Sequence, residues 1–354
     1  MEQLNVFIFW YKRITFFKLS HQIEFIRQLA SYLDDGINIQ EALMMTAESY
    51  EAVYGSNHVA VEIANRIKES ADNLEGYQVY IKKYFHPDIA VAFEIVQLNT
   101  HAMSGVNEII DLVESEKKLK SQNMNAIMMP LIIALVGLII LTAVGGFVVP
   151  MFQERAQGKL TSPEINLALG LWSFFTYTWF IFIPLILFCV ALYGRAQREM
   201  IGTIRNKLDN IWPFKMHRQY CGIRLLRMMG ILKQSGCGDD EAYDIIESYA
   251  ANYFSHFLRY YKHSFKIGES RSKYFGVGLL DKLQMIRLRR YFNGVDDATF
   301  CKAIIEISKK SEIDIVLASR TTVARYQLFF IMFGITLGVL GVGVVLEGGM
   351  QILV

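Results

Sequence analysis

Three pairs of adjacent aspartates, seven histidines and four cysteines are the side chains of this 354-residue chain with an evident capacity for acid–base, metal or redox chemistry. Two carboxylates serve catalysis when their surroundings push their proton affinities apart. Asp34-Asp35, Asp239-Asp240 and Asp296-Asp297 instead sit at turns and helix starts, where short acids cap exposed amides and favour the helix dipole. The histidines, among them His21, His86, His101 and His263, are scattered without ligand spacing. Cys189, Cys221, Cys237 and Cys301 form no C-x-x-C and have no histidine at zinc-finger distance, which argues against a structural zinc site or a disulfide framework. No G-x-x-x-x-G-K-[ST], H-E-x-x-H or G-x-S-x-G is present. The expectation is a protein that is not an enzyme, with no catalytic residue, cofactor or metal.

The elements that hold these residues belong to a membrane protein. Hydrophobic residues make up 53% of the chain and charged ones 20%, against about 45–50% and about 25% in soluble domains. A net charge of +2 argues against a nucleic-acid partner. Three stretches stay free of charge long enough to cross a bilayer, which takes about 20 apolar residues. They lie between Lys120 and Glu154, between Glu164 and Arg195, and between Arg325 and Glu347. No Asp, Glu, Lys or Arg interrupts their cores, so the usual mark of an ion or proton pathway is missing.

Basic residues set the orientation. Lys117, Lys118 and Lys120 precede the first span, Arg195, Arg198, Arg205 and Lys207 follow the second, and Arg320 and Arg325 precede the third. The positive-inside rule then places both large blocks in the cytoplasm and the C-terminus outside. The fold expected is an all-α membrane protein with two related cytoplasmic helical-bundle domains and three transmembrane helices. Its parts are a first domain (1–122), a span (123–152), a periplasmic loop (153–164), a span (165–194), a second domain (195–325), a span (326–347) and a periplasmic tail (348–354). No signal peptide is visible, and the aromatic run Val6–Tyr11 reads as a helix lying on the membrane or packed on its own domain.

The two large blocks repeat a helical hairpin. Phe25, Leu29 and Leu33 recur at helical spacing before Asp34-Asp35-Gly36, where glycine can take the left-handed conformation that ends a helix. Asn38 and Glu41 read as a capping box for the next helix. The second block carries Leu225–Leu232, then Gly236, Asp239, Glu241 and Ala242. Arg27, Gly36, Glu41 and Ala42 recur as Arg227, Gly236, Glu241 and Ala242 at one offset of 200 residues, and Glu-Ser-Tyr follows both hairpins. Several coincidences in one register indicate internal duplication.

This layout resembles the inner-membrane platform proteins of type IV pili and type II secretion, the PilC/GspF family, over nearly the whole chain. The resemblance rests on the two hairpins, Phe85-His86-Pro87, Pro130 at the start of the first span, and Phe147-Val-Val-Pro150-Met-Phe152 at its end. Departures occur at Thr100–Gly105 and Tyr291–Asp297, which lack the family's Gly-Glu pattern, so acidic metal sites of relatives are not carried over. The divergence fits the type IVb pilus branch. The resemblance implies a non-enzymatic platform in the inner membrane that couples a cytoplasmic hexameric assembly or retraction ATPase to movement of major and minor pilins. It further implies contact with other inner-membrane pilus assembly proteins and membrane lipids, and homo-oligomerisation. A type II secretion platform, and a membrane-anchored signalling or scaffolding adaptor, stay open as alternatives. Asp34, Asp35, Gly36, Glu41, Gly236, Asp239 and Glu241 mark the hairpins, as folding devices or partner contacts. Gly334 and Gly338 form a G-x-x-x-G suited to close helix packing in the membrane. The basic run Arg287–Arg290, after Lys282, reads as a face for anionic headgroups, for an acidic partner, or for solvent.

Overall fold

A computed structural model describes residues 15–72, 78–98, 102–155, 162–292 and 296–353. The run Val6–Tyr11 lies outside the described residues, as do Thr100, His101, residues 293–295, Lys159 and Val354. Regular structure among the described residues is entirely helical. The chain divides into two compact units, one built from residues 1–117 and 198–314, the other from 118–197 and 315–354.

In the first unit the two blocks present their helices in parallel order. The first block gives α1 (Leu19–Asp34), α2 (Ile39–Tyr54), α3 (Val59–Asp72), α4 (Gln78–Tyr84), α5 (Pro87–Leu98) and the start of α6 (Ala102–Ala143). After α8 (Pro163–Glu199) and a short α9 (Thr203–Leu208), the second block gives α10 (Phe214–Gln234), α11 (Asp239–Tyr249), α12 (Asn252–Lys266), α13 (Arg271–Tyr274), α14 (Lys282–Arg289) and the start of α15 (Asp297–Leu353). α1 buries Gln22, Ile23, Phe25, Ile26, Leu29 and Ala30, an apolar stripe with one polar member at helical spacing. α10 is buried almost all round from Tyr220 to Leu232. Residues of both blocks line one hydrophobic core, and Ala42 and Ala242 are each fully buried in it.

The two repeated turns have the same hydrogen bonds. Gly36 has φ +85°, its N–H reaches Leu33 O at 3.0 Å, and the Ile37 N–H reaches Tyr32 O at 3.1 Å. Gly236 has φ +94°, with Gly236 N–H to Lys233 O and Cys237 N–H to Leu232 O, both at 3.1 Å. This pair of bonds satisfies carbonyls that a helix end otherwise leaves open. A Cβ on Gly36 would meet nothing within 4 Å, so the backbone angle alone penalises a side chain there. Gly36→Ala is expected to lower the unfolding free energy of the full chain in detergent by about 1–2 kcal/mol. An unchanged denaturation midpoint would defeat this account of the turn.

The second unit holds the apolar parts of three helices long enough to cross a membrane. α6 passes through a π-helical turn at Val144–Val148 into α7 (Val149–Arg155), and α8 spans Pro163–Glu199. Pro150 explains the wide turn: it has no N–H to donate backwards and its ring crowds the preceding carbonyl, and a π turn relieves both. Helix backbones nearly touch at two places. A Cβ on Gly137 would lie 2.4 Å from the Gly334 carbonyl oxygen, and one on Gly145 would lie 2.1 Å from that of Ala168. Neither neighbour can swing aside, because both are backbone. Gly137→Val should therefore force α6 and α15 apart and cost about 1–3 kcal/mol, typical of overpacking. Thermal melting of the purified chain reads this, and a variant as stable as the parent would rule out the contact.

Candidate partner interface

Each repeated hairpin is tied to the start of a helix that runs on into the membrane-length set. In the first, both carboxylate oxygens of Asp34 accept the Met103 N–H at 3.3 Å, which caps the first turn of α6. Asn38 Oδ1 accepts the Glu41 N–H at 2.9 Å, while its Nδ2 donates to Glu41 Oε2 at 3.2 Å. The sequence pattern of a capping box is thus realised in one arm, with a side chain–side chain bond beside it. Asp35 and Glu41 remain exposed.

The second hairpin is held by ion pairs. Lys233 Nζ lies 2.5 Å from Asp239 and 3.5 Å from Asp297, and Arg271 lies 3.3 Å from each of the same carboxylates. Two cations and two anions alternate in a ring joining the ends of α10, α11, α13 and α15. Lys233, with Arg271 beside it, holds the Asp297 carboxyl below its ordinary pKa. Arg271 also stacks on Phe300 at 4.4 Å. The neighbouring Asp296 accepts the Thr299 N–H at 3.0 Å and caps α15. Gly236 and Glu241 face outward at the tip. All three aspartate pairs therefore sit at helix ends.

A polar seam joins the two blocks. The Arg224 Nη2 atom lies 2.9 Å from Asp88 and 2.8 Å from Glu116. The Asp88 side chain is 3% exposed, so the pair sits in a low-dielectric setting. Burial pushes the Asp88 carboxyl above its ordinary pKa, against the pull of Arg224. Burial alone would lower the Arg224 pKa, but Asp88 and Glu116 outweigh it and raise it. Burial likewise lowers the pKa of His86. Nearby, the Tyr249 hydroxyl donates to Glu94 at 2.6 Å in a buried contact. Arg227 is 2% exposed, donating to Ser308 at 3.2 Å and to Glu312 at 2.7 Å. Its register mate Arg27 is 44% exposed beside Glu24, so the repeat keeps the residue and changes its surroundings.

The membrane motif residues belong to the second unit. Pro130 is buried within α6. Phe152 lies so close to Gly348 that a Cβ there would be 2.3 Å from its ring. Gly334 is taken up by the contact with Gly137 inside the chain, whereas a Cβ on Gly338 would meet nothing within 4 Å. In the basic run, Arg287 pairs with Asp314 at 2.6 Å and Arg290 stacks on Tyr291. No cluster of three or more His, Cys, Asp or Glu suited to a metal ion occurs among the described residues. Cys221, Cys237 and Cys301 are buried, and burial pushes the Cys221 thiol up to about 12 and that of Cys237 to about 11. Such thiols are unreactive at neutral pH.

Sequence reasoning singled out the hairpins but not Arg224, Asp88, Glu116 or Glu94. A signal existed in α10, where Arg224 and Arg227 interrupt an otherwise apolar run and must find partners if it is buried.

An all-helical chain with three membrane-length helices and a helical hairpin unit is the setting in which two comparisons fall. Residues 25–150 match the family described as type II secretion system (T2SS), protein F. The toxin coregulated pilus biosynthesis protein E of Vibrio cholerae serotype O1 is 22% identical over 308 residues, covering 82% of this chain and 87% of the relative. Both comparisons point to a likeness with the PilC/GspF-like proteins of type IV pilus and type II secretion machinery.

Proposed function

We propose that this chain is the inner-membrane platform of a type IV pilus, coupling a cytoplasmic hexameric ATPase to the movement of pilins into or out of the fibre. The observation that carries the choice of pilus is the relative named for pilus biosynthesis, which the alignment follows along 87% of its length. In this reading residues 1–122 and 195–325 lie in the cytoplasm, the loop 153–164 and the tail 348–354 lie in the periplasm, and copies of the chain associate. The family description favours a second reading, a platform of type II secretion.

The proposed mechanism starts at the hairpins. The ATPase presses on the exposed tips around Asp35, Glu41 and Glu241, and Asp34 and the Lys233–Asp297 pair pass the load to the first turns of α6 and α15. Pilins and other assembly proteins meet the membrane helices. The platform must hold pilins differently in its different states, since a load without differential contact shifts no equilibrium. Photocrosslinkers at Glu41 and Glu241, exposed in the full chain in its own host, should capture the ATPase. Capture at buried-seam controls alone, or no capture at either tip, would reject the hairpins as its docking points.

A further inference from the structure

The second membrane-length helix ends at Glu199, and the chain then passes through residues 201–215 before α10 is established. This connector has two sharply different sides. Its inner side is a built polar anchor. Arg205 Nε lies 3.0 Å from Asp209 Oδ1, and the two side chains are 1% and 4% exposed. The Arg205 guanidinium sits 4.1 Å from the Tyr253 ring and 4.6 Å from that of Phe214, and the Tyr253 hydroxyl donates to Asp209 at 2.8 Å. Although Arg205 follows a span in the sequence, it is spent inside the protein.

The outer side is apolar and basic. Ile201, Ile204 and Ile211 are 47%, 65% and 55% exposed. Ile204, Lys207 and Ile211 stand at i, i+3 and i+7, opposite Arg205 and Asp209 at i+1 and i+5, through the turns that the Asn210 and Ile211 N–H groups close on Lys207 and Leu208. Arg198, Lys207 and Lys215 are exposed, against the single exposed carboxylate of Glu199 between residues 198 and 215. Isoleucines interleaved with lysines and held rigidly from behind have the composition of an interfacial membrane element. Chain continuity supplies the surface, because Ile201 follows the end of the apolar helix by two residues.

We propose that residues 201–215 form a lipid-facing foot: the isoleucines enter the headgroup layer, and Lys207 and Lys215 bind anionic headgroups. The assignment depends on the membrane helices and not on the pilus reading. The full chain, with Cys189→Ser to remove the exposed thiol, carries an environment-sensitive dye on Ile204→Cys or Ile211→Cys. Val53→Cys, which replaces an equally bare residue (73% exposed), is the control. Nanodiscs contain phosphatidylglycerol and a shallow spin-labelled lipid, with one protein per disc. Quenching is expected at both connector positions, severalfold above the control. Lys207→Gln with Lys215→Gln should cut the ratio of inserted to free connector by roughly 30-fold, at about fivefold for each basic residue near an anionic surface. Quenching no greater than at Val53 would overturn the proposal. So would protection that appears only with two proteins per disc, which would assign the face to a second copy. Quenching that survives both lysine replacements would overturn the headgroup contact.

Discussion

Replacing Arg224 with alanine is expected to destabilise the helical unit by about 3–5 kcal/mol, the cost of leaving a buried charge without its partner. Asp88 is the charge left behind, with a side chain 3% exposed, whereas Glu116 at 30% exposed can turn to water. The effect should depend on pH in a defined direction. The folded Asp88 carboxyl already titrates above its ordinary pKa because of burial, and removing Arg224 raises it further. Between the unfolded and folded pKa values the folded state binds more protons, so stability from this group rises as pH falls. The deficit of Arg224→Ala should accordingly shrink on acidification. Arg224→Met with Asp88→Asn removes both charges and should recover most of the loss. Chemical denaturation of the purified full chain measures all three. A single variant that loses less than the double one would contradict the pairing.

Phe85→Ala is the second large effect, about 3–5 kcal/mol for truncating a buried phenylalanine. Phe85 is 3% exposed. Its ring lies 5.3 Å from Phe17, 5.4 Å from Phe25 and 4.9 Å from Phe93, so it joins the approach to α1, α1 itself and α5. Phe85→Leu keeps most of the volume and should cost under about 1.5 kcal/mol. Equal losses in the two variants would show that cavity volume is not what the position supplies. The result matters for the resemblance, because Phe85-His86-Pro87 is one of the segments that carries it and has here a packing role.

What the sequence made legible was local or periodic. Helical spacing from Phe25 to Leu33 and a glycine after it suffice for the hairpin, since a turn with positive φ needs only the residues on the spot. The three long apolar helices follow from charge-free length. The seam between the blocks was not legible, because Arg224 and Asp88 are remote in sequence and nothing local chooses between an exposed and a buried arginine. Arg27 and Arg227 share a register and end in opposite environments for the same reason. Gly137 and Gly145 were silent as well. Glycine is frequent in apolar helices, and only the backbone placed opposite shows which one must lack a side chain. The π turn before Pro150 was likewise hidden, although the proline marks the place. Of the candidate residues, the hairpin acids resolve into inward ties, Asp34 and Asp239, and outward tips, Asp35, Glu41 and Glu241. The partners make that division, Met103 for Asp34 and Lys233 with Arg271 for Asp239, and the sequence pattern alone does not.

The central claim is that the chain serves fibre assembly as a platform. Its most direct test is deletion of the gene in its own host, with plasmid rescue, imaging of surface fibres, and assays of secreted proteins and cellular pilin. The account predicts loss of fibres with normal pilin levels, restored by the plasmid. Loss of secretion with intact fibres would move the chain to the secretion machinery. Intact fibres and secretion, with no sister platform gene in that host, would contradict the account and leave an adaptor outside polymerisation.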